Sequence, residues 1–240
     1  MQPAIDAVKA LVFDVFGTVV DWRGSVSREL RVLARERGVR LNAAKFADAW
    51  RARYHPSMDR VRKGELPWTT LDRLHRASLD ELLREFRVSG LDDAEVDRLN
   101  RVWHRLKPWP DARAGLKRLK RRYVIATLSN GNVALLTNMA KHAGLPWDCI
   151  LSAEVFRHYK PDPEVYLGAA EILGLAPAEV MMVAAHKNDL SAAKRCGLAT
   201  AFVHRPREYG PARKPDDLSP EPFVDLLAAD FNALAAQLGL

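Results

Sequence analysis

KALVFDVFGTVVD, residues 9–21, holds an apolar run from Lys9 to Asp14 that ends on a carboxylate and passes directly into Gly17-Thr18. That is the pattern of a strand followed by a loop. An acid closing a strand bound for the interior is penalised unless hydrogen bonds or a counter-ion hold it. Two readings of Asp14 stand side by side. It caps the following loop through the amides of Phe16, Gly17 and Thr18, or those amides hold it as an oriented nucleophile.

Outward from this stretch, apolar runs of strand length recur at Tyr123–Leu128, Cys149–Leu151, Val180–Ala185 and Thr200–Val203. Helical stretches separate them: Asp111–Lys120, Val133–Ala143, Pro163–Leu173 and Leu190–Cys196. Alternation of this kind predicts right-handed βαβ units and a parallel sheet. Asp162-Pro163 reads as an N-cap with proline in the first turn, and Gly144 and Gly174 read as helix ends. Between Asp21 and Pro108 the pattern changes. Helical periodicity dominates in Val26–Arg37, Ala43–Arg62, Thr69–Phe86 and Asp93–Leu106, with Asp92 and Glu95 as a capping pair. The expectation is an α/β protein with a Rossmann-like parallel-sheet core, residues 1–21 and 109–240. An inserted all-helical domain, residues 22–108, would cover the strand ends.

The 240 residues suffice for such a core without staples, and 48% hydrophobic with 28% charged residues is ordinary for a globular protein. Cys149 and Cys196 have no metal or redox spacing and read as reduced, packed thiols. No basic segment, apolar run and cleavage site open the chain, so a cytoplasmic protein is expected. The uncharged stretch from Tyr123 to Ala140 contains Ser129, Asn130, Gly131, Asn132, Thr137 and Asn138, too polar for lipid, and reads as strand, loop, helix. The net charge of +7 raises the question of nucleic acid. Most basic residues are interleaved with acids on helical patterns. Only LKRLKRRY, residues 116–123, is a basic run without acidic partners, and a solvated helix face accounts for it. No nucleic-acid or membrane partner is expected; the positive balance suits a small anionic substrate. The apolar helix faces leave a homodimer open.

In a doubly wound sheet, ligands sit beyond the carboxyl ends of the strands. That rule gathers Asp14, Ser129-Asn130, the Lys160 loop and the Ala184–Asp189 turn into one site. Ser129 and Asn130 can donate to an anion or cap the next helix. Lys160 is either solvated or, beside Asp14, a cation that keeps the acid ionised and grips a substrate carboxylate. Asp189 opens a helix or belongs to an acid–base pair. His186 is the one histidine expected at a strand end; His55, His75 and His104 read as surface or packing residues of the helical insertion.

Taken together, FDVFGTVVD, LSNG, KPDPEVY and VAAHKNDLSAAKRCGL, in that order, resemble the haloacid dehalogenase superfamily, and the helical insertion resembles its cap. The likeness runs over residues 9 to 235. Most of that superfamily are magnesium phosphatases with a second Asp two residues after the nucleophile and another four residues before the helix-opening Asp of the last motif. This chain has Phe16 and Ala185 there, which removes the general acid and part of the metal shell. A phosphatase of the same fold, acting on a small phosphate ester, is the alternative. The branch the chain looks like is the L-2-haloacid dehalogenases, which form an Asp ester and hydrolyse it with inversion, without a metal or other cofactor.

The resemblance implies that Asp14 is the nucleophile, that Thr18 holds its carboxylate, and that Arg51 receives the departing halide. It implies that Ser129 and Lys160 bind the substrate carboxylate and orient the nucleophile, that Asn130 is a halide-side amide, and that Asp189 positions or activates water. Phe16 joins Thr18, Ser129 and Asn130 on the substrate-binding side. The likeness fails at Ala184 and His186, where those enzymes place Ser and Asn, and at Asn188, where they often place an aromatic against the halide. The expectation here is that His186, with a pKa near neutrality, deprotonates the water. A pocket of Arg51, His186, Asn130 and Asn188 is rich in donors, which fluoride needs more than polarizable surface. Fluoroacetate therefore enters the expected substrate range.

Overall fold

The computed structural model describes residues 5–211 and 218–240. The opening strand, β1 (Ala10–Phe13), is buried throughout. Leu11 and Phe13 enter one hydrophobic cluster and Val12 the other, because alternate side chains leave a strand on opposite faces. Its continuous apolar character follows from helices covering both faces of the sheet.

Two short strands come next in sequence order: β2 (Val20–Asp21) and β3 (Lys107–Pro108) pair antiparallel. They bracket the helical insertion and bring its two connections side by side. The remaining strands are β4 (Val124–Ser129), β5 (Cys149–Ser152), β6 (Val180–Ala184), β7 (Ala199–Val203) and β8 (Leu226–Ala228). Six of the eight form a parallel sheet in the order β5-β4-β1-β6-β7-β8. Strand order reverses on either side of β1, so the crevice beyond its carboxyl end is the natural place for a ligand. β8 lies outside the strands expected from the sequence; three residues, Leu226–Ala228, give too short an apolar run to stand out.

The insertion carries α1 (Trp22–Arg37), α2 (Ala43–Ala52), α3 (Tyr54–Arg62), α4 (Leu71–Glu85) and α5 (Asp93–Asn100), followed by a 3-10 turn at Arg101–Arg105. One helix was expected over Ala43–Arg62; the chain instead breaks at Arg53. Pro56 has no amide and its ring crowds the carbonyl four residues earlier, so a continuous helix through it is disfavoured, whereas the first turn of α3 accepts it. The expected capping pair of Asp92 and Glu95 forms.

The core helices are α6 (Ala112–Leu119), α7 (Val133–Ala143), α8 (Ala153–Phe156), α9 (Pro163–Ile172), α10 (Lys187–Arg195) and α11 (Phe231–Gln237). The stretch Tyr123–Ala140 is strand, loop and helix, as its amides require. Among the described residues no helix is long and apolar enough to cross a membrane. In the basic run, Arg118 and Arg122 reach the carbonyls of Leu240 and Leu238 beyond α11, and Lys120 pairs with Asp148. Cationic groups near those carbonyls complement the negative end of a helix. Asp162 stands at the N-cap position of α9 without capping it. Its carboxylate takes two hydrogen bonds from Arg62 of the insertion, at 2.9 and 2.7 Å.

Candidate active site

The loop after β1 presents Asp14 to a cavity of about 410 Å³. The amide of Gly17 donates to the carbonyl of Val20 and so does not secure the carboxylate. Three side chains do so. The Thr18 hydroxyl donates to Oδ2 at 2.8 Å, His186 Nδ1 lies 3.0 Å from the same oxygen, and Lys160 Nζ lies 3.2 Å from Oδ1. Thr18 Oγ1 in turn accepts from the amide of Ala185 at 2.9 Å, which fixes its proton towards Asp14. Burial alone would raise the carboxyl pKa. The Lys160 ammonium, then the hydrogen bond and charge of His186, then Thr18, outweigh it and hold Asp14 far below the usual carboxylate range.

Lys160 is buried between two carboxylates and lies 2.5 Å from Asp189 Oδ2. Burial works against its charge, but Asp14 and Asp189 keep its pKa above the ordinary lysine value. The other oxygen of Asp189 accepts from the Tyr166 hydroxyl at 2.6 Å. Burial, reinforced by the nearby charge of Asp14, leaves Asp189 with a raised pKa despite Lys160. Asp189 does not open α10; that helix begins at Lys187, so Asp189 sits in its first turn, where a negative charge is favoured.

His186 differs from its expected state. Nδ1 faces Asp14, and Nε2 lies 3.1 Å from both oxygens of Glu208. Burial opposes the charged ring, yet the Glu208 charge and the bonds to both carboxylates raise its pKa well above the ordinary value. A ring whose two nitrogens both face carboxylates is an imidazolium and has no lone pair for a proton. The neutral base expected from an unperturbed pKa is therefore not present in the resting site.

Arg51, at the end of α2, lines the cavity with its guanidinium 4.1 Å from the Tyr54 ring centre, and its Nη1 is buried without a hydrogen-bond partner among the described residues. Asn130 and Asn188 also line the cavity. Asn130 Oδ1 accepts from the amide of Lys160 at 2.8 Å, tying two motifs together. Ser129 and Phe16 do not line the cavity. Ser129 is fully enclosed, with Oγ accepting from the amide of Gly131 at 3.3 Å. Phe16 packs edge-on against Tyr54 and Trp103. Both side chains are enclosed in the protein beside the site rather than on the cavity surface. Thr18 reaches the site only through Asp14.

A family model described as "haloacid dehalogenase-like hydrolase" matches residues 8–197. The chain belongs to that family. It is 33% identical over 218 residues to (S)-2-haloacid dehalogenase 4A of Burkholderia cepacia, covering 85% of this chain and 88% of that one. The solved structure of the L-2-haloacid dehalogenase PA0810 is 52% identical, with a TM-score of 0.92 over 97% of this chain and 99% of that chain. That of the defluorinating L-2-haloacid dehalogenase Rha0230 is 50% identical, with a TM-score of 0.94 over 97% and 96%.

Many haloacid dehalogenase-like hydrolases bind magnesium, and the chemistry of this site does not fit a divalent ion. Ammonium and imidazolium groups already touch the two oxygens of Asp14, and a further cation there would be repelled by both. The positions that resemble phosphatase carboxylates hold Phe16 and Ala185.

Several site residues escaped the sequence reading. Glu208, in the loop after β7, is buried and also accepts from Trp22 Nε1 at 3.1 Å. The strand-end rule applied to β7 would have pointed to that loop. Gly17 makes room for it: at φ +86° a Cβ there would lie 2.2 Å from the Glu208 carboxylate. Tyr166 lies within KPDPEVY itself. Tyr54, Tyr209 and His55 line the cavity; His55 is exposed, the surface residue expected, and stands against the Tyr54 ring where the cavity meets solvent. Burial, then the charges of Arg51 and His186, lower its pKa. His104 bonds Asp72 through Nε2 and Asn138 through Nδ1, joining insertion to core.

Proposed function

We propose that this haloacid dehalogenase-like hydrolase replaces the halogen of small 2-haloalkanoic acids with hydroxyl, through an ester on Asp14 and without a metal. The observation that carries the reading is an ionised carboxylate touching cations, in a cavity also lined by an arginine whose buried Nη1 has no partner among the described residues. A halide leaves without needing a proton, so Phe16 in place of a general acid is no handicap. The named activities of the two structural neighbours at 50% identity and above point the same way.

In this mechanism Lys160 and Asn130 hold the substrate carboxylate, and Arg51, Asn130 and Asn188 receive the halide. Asp14 attacks C2 from the opposite side, which inverts the centre. Asp189, its basicity raised by burial, takes a proton from the water that opens the ester. Residues 22–108 act as the cap that excludes bulk water. Carbon–fluorine bonds fall within the range: the halide side is built of N–H donors, and the second structural neighbour bears the name of a defluorinating enzyme. The reading includes a cytoplasmic setting, in keeping with two unpaired cysteines, and leaves a homodimer open. Hydrolysis of a phosphate ester is the weaker reading, since it needs the carboxylates that Phe16 and Ala185 replace.

Turnover of the two 2-chloropropanoate enantiomers in EDTA tests the proposal. Chloride should appear from the S enantiomer at a rate the chelator does not alter. A single turnover in heavy-oxygen water should place label in Asp14 before it appears in product. Inhibition by the chelator, or label found only in product, would overturn it. For fluoroacetate the readout is a fluoride electrode, with release expected.

A further inference from the structure

The two oxygens of Asp14 are not equivalent. Oδ2 receives the Thr18 hydroxyl and His186 Nδ1, at 2.8 and 3.0 Å. Among the described residues Oδ1 receives only Lys160, at 3.2 Å, and that ammonium lies closer to Asp189. The lone pairs of Oδ1 are less engaged, which makes it the attacking atom. Oδ2 then becomes the carbonyl oxygen of the ester, already facing two donors at distances suited to an oxyanion. Behind His186 stands Glu208, held by Trp22 and in contact with Nε2 through both oxygens.

We propose, resting on the dehalogenase reading above, that Thr18 and His186 form the oxyanion hole for hydrolysis of the Asp14 ester, with Glu208 as the positioning residue that keeps His186 charged and aimed. In the first step Oδ1 forms a bond to C2, and the carbon–halogen pair departs with the halide. In the second, water bonds to Cγ of Asp14, its proton passes to Asp189, and the Cγ–Oδ2 π pair moves onto Oδ2, between Thr18 and His186. The pair returns, the Cγ–Oδ1 bond breaks, and the leaving alkoxide takes the proton from Asp189. Asp14 then gives its remaining proton to solvent, restoring the carboxylate. His186 donates throughout and accepts no proton.

Among the described residues, the charged and titratable groups sharing the cavity with His186 are Asp14 from the β1 loop, Glu208 and Tyr209 from the β7 loop, Arg51, Tyr54 and His55 from the insertion, Tyr166 of α9, and Lys187 and Asp189 of α10, with Lys160 on the other oxygen of Asp14. Of these, the Glu208 carboxylate supports the charged ring most strongly. Replacing it should let His186 lose its proton at lower pH.

Rapid mixing with (S)-2-chloropropanoate, with chloride release and intact-protein mass followed together, separates the two steps. His186→Ala should give about one chloride per active site in a burst and accumulate protein bearing the ester. Hydrolysis should slow roughly 10²- to 10³-fold, the usual loss of one oxyanion donor. His186→Gln, which keeps an N–H, should recover part of that loss. Glu208→Gln should move the alkaline limb of the hydrolysis rate to lower pH by about a unit or more, leaving the acid side in place. A water-activating histidine predicts the reverse, since a lower pKa would extend activity on the acid side. Hydrolysis keeping pace with the burst in His186→Ala, or an acid-side change in Glu208→Gln, overturns the proposal. A wild-type enzyme releasing no chloride would instead sink the dehalogenase reading itself.

Discussion

Arg51 offers a buried Nη1 without a partner among the described residues, in a guanidinium stacked near Tyr54 and Trp22. An unpaired buried donor costs free energy unless a ligand completes it. A departing halide does so as its charge develops, which turns the cost into stabilisation of the transition state. Lysine keeps the charge but not the planar fork. Arg51→Lys is therefore expected to lower kcat/KM about 10- to 100-fold, the equivalent of one charge-assisted hydrogen bond. The loss should be larger for fluoroacetate than for bromoacetate, because fluoride depends more on donors; parallel halide-release assays measure the ratio.

Helix α4 meets the core through Asp72, at its first turn. The Asp72 amide donates to Asn132 Oδ1 at 3.2 Å, and Asn132 Nδ2 donates back to the Asp72 carboxylate at 2.9 Å. His104 and Asn138 extend this tie to α7, and Tyr159 donates to the carbonyl of Thr69 at 2.6 Å. Polar ties suit a surface that must pack over the site, since each is directional and sets the register of insertion against sheet. Asn132→Ala removes both reciprocal bonds and should cost about 1–3 kcal/mol. For a chain of this size that is a fall in Tm of several degrees, measurable by calorimetry. The Arg62–Asp162 pair is more exposed, and its loss should cost under about 1 kcal/mol.

Across the whole molecule, His75 carries a penalty that the fold tolerates. Both ring nitrogens are buried without partners among the described residues, and the ring stacks on Trp103 with centroids 4.3 Å apart. Burial pushes its pKa from 6.5 down to about 3. The sign follows directly: between those values the unfolded chain takes up a proton that the native state refuses, so stability falls as pH drops through that window. Above it the group is neutral in both states and contributes no slope. His75→Phe should raise Tm by a few degrees near pH 7, because roughly 1–2 kcal/mol of unsatisfied polarity is removed. It should also flatten the loss of stability on acidification; calorimetry over a pH series gives both readings.

Patterns of short range carried the sequence reading far. The buried run ending at Asp14, the alternation of strands with helices and the helical block between β1 and β4 all follow from side-chain periodicity. The strand-end rule then collected Asp14, Lys160, His186 and Asp189 before any distance was known. Folding alone brings Glu208 to His186 and Tyr166 to Asp189, and turns Ser129 away from the cavity. It also makes His186 a cation rather than a base. A strand or a helix is set by neighbours a few residues away, whereas a proton's affinity for a ring is set by charges arriving from anywhere in the chain, and no local pattern records them.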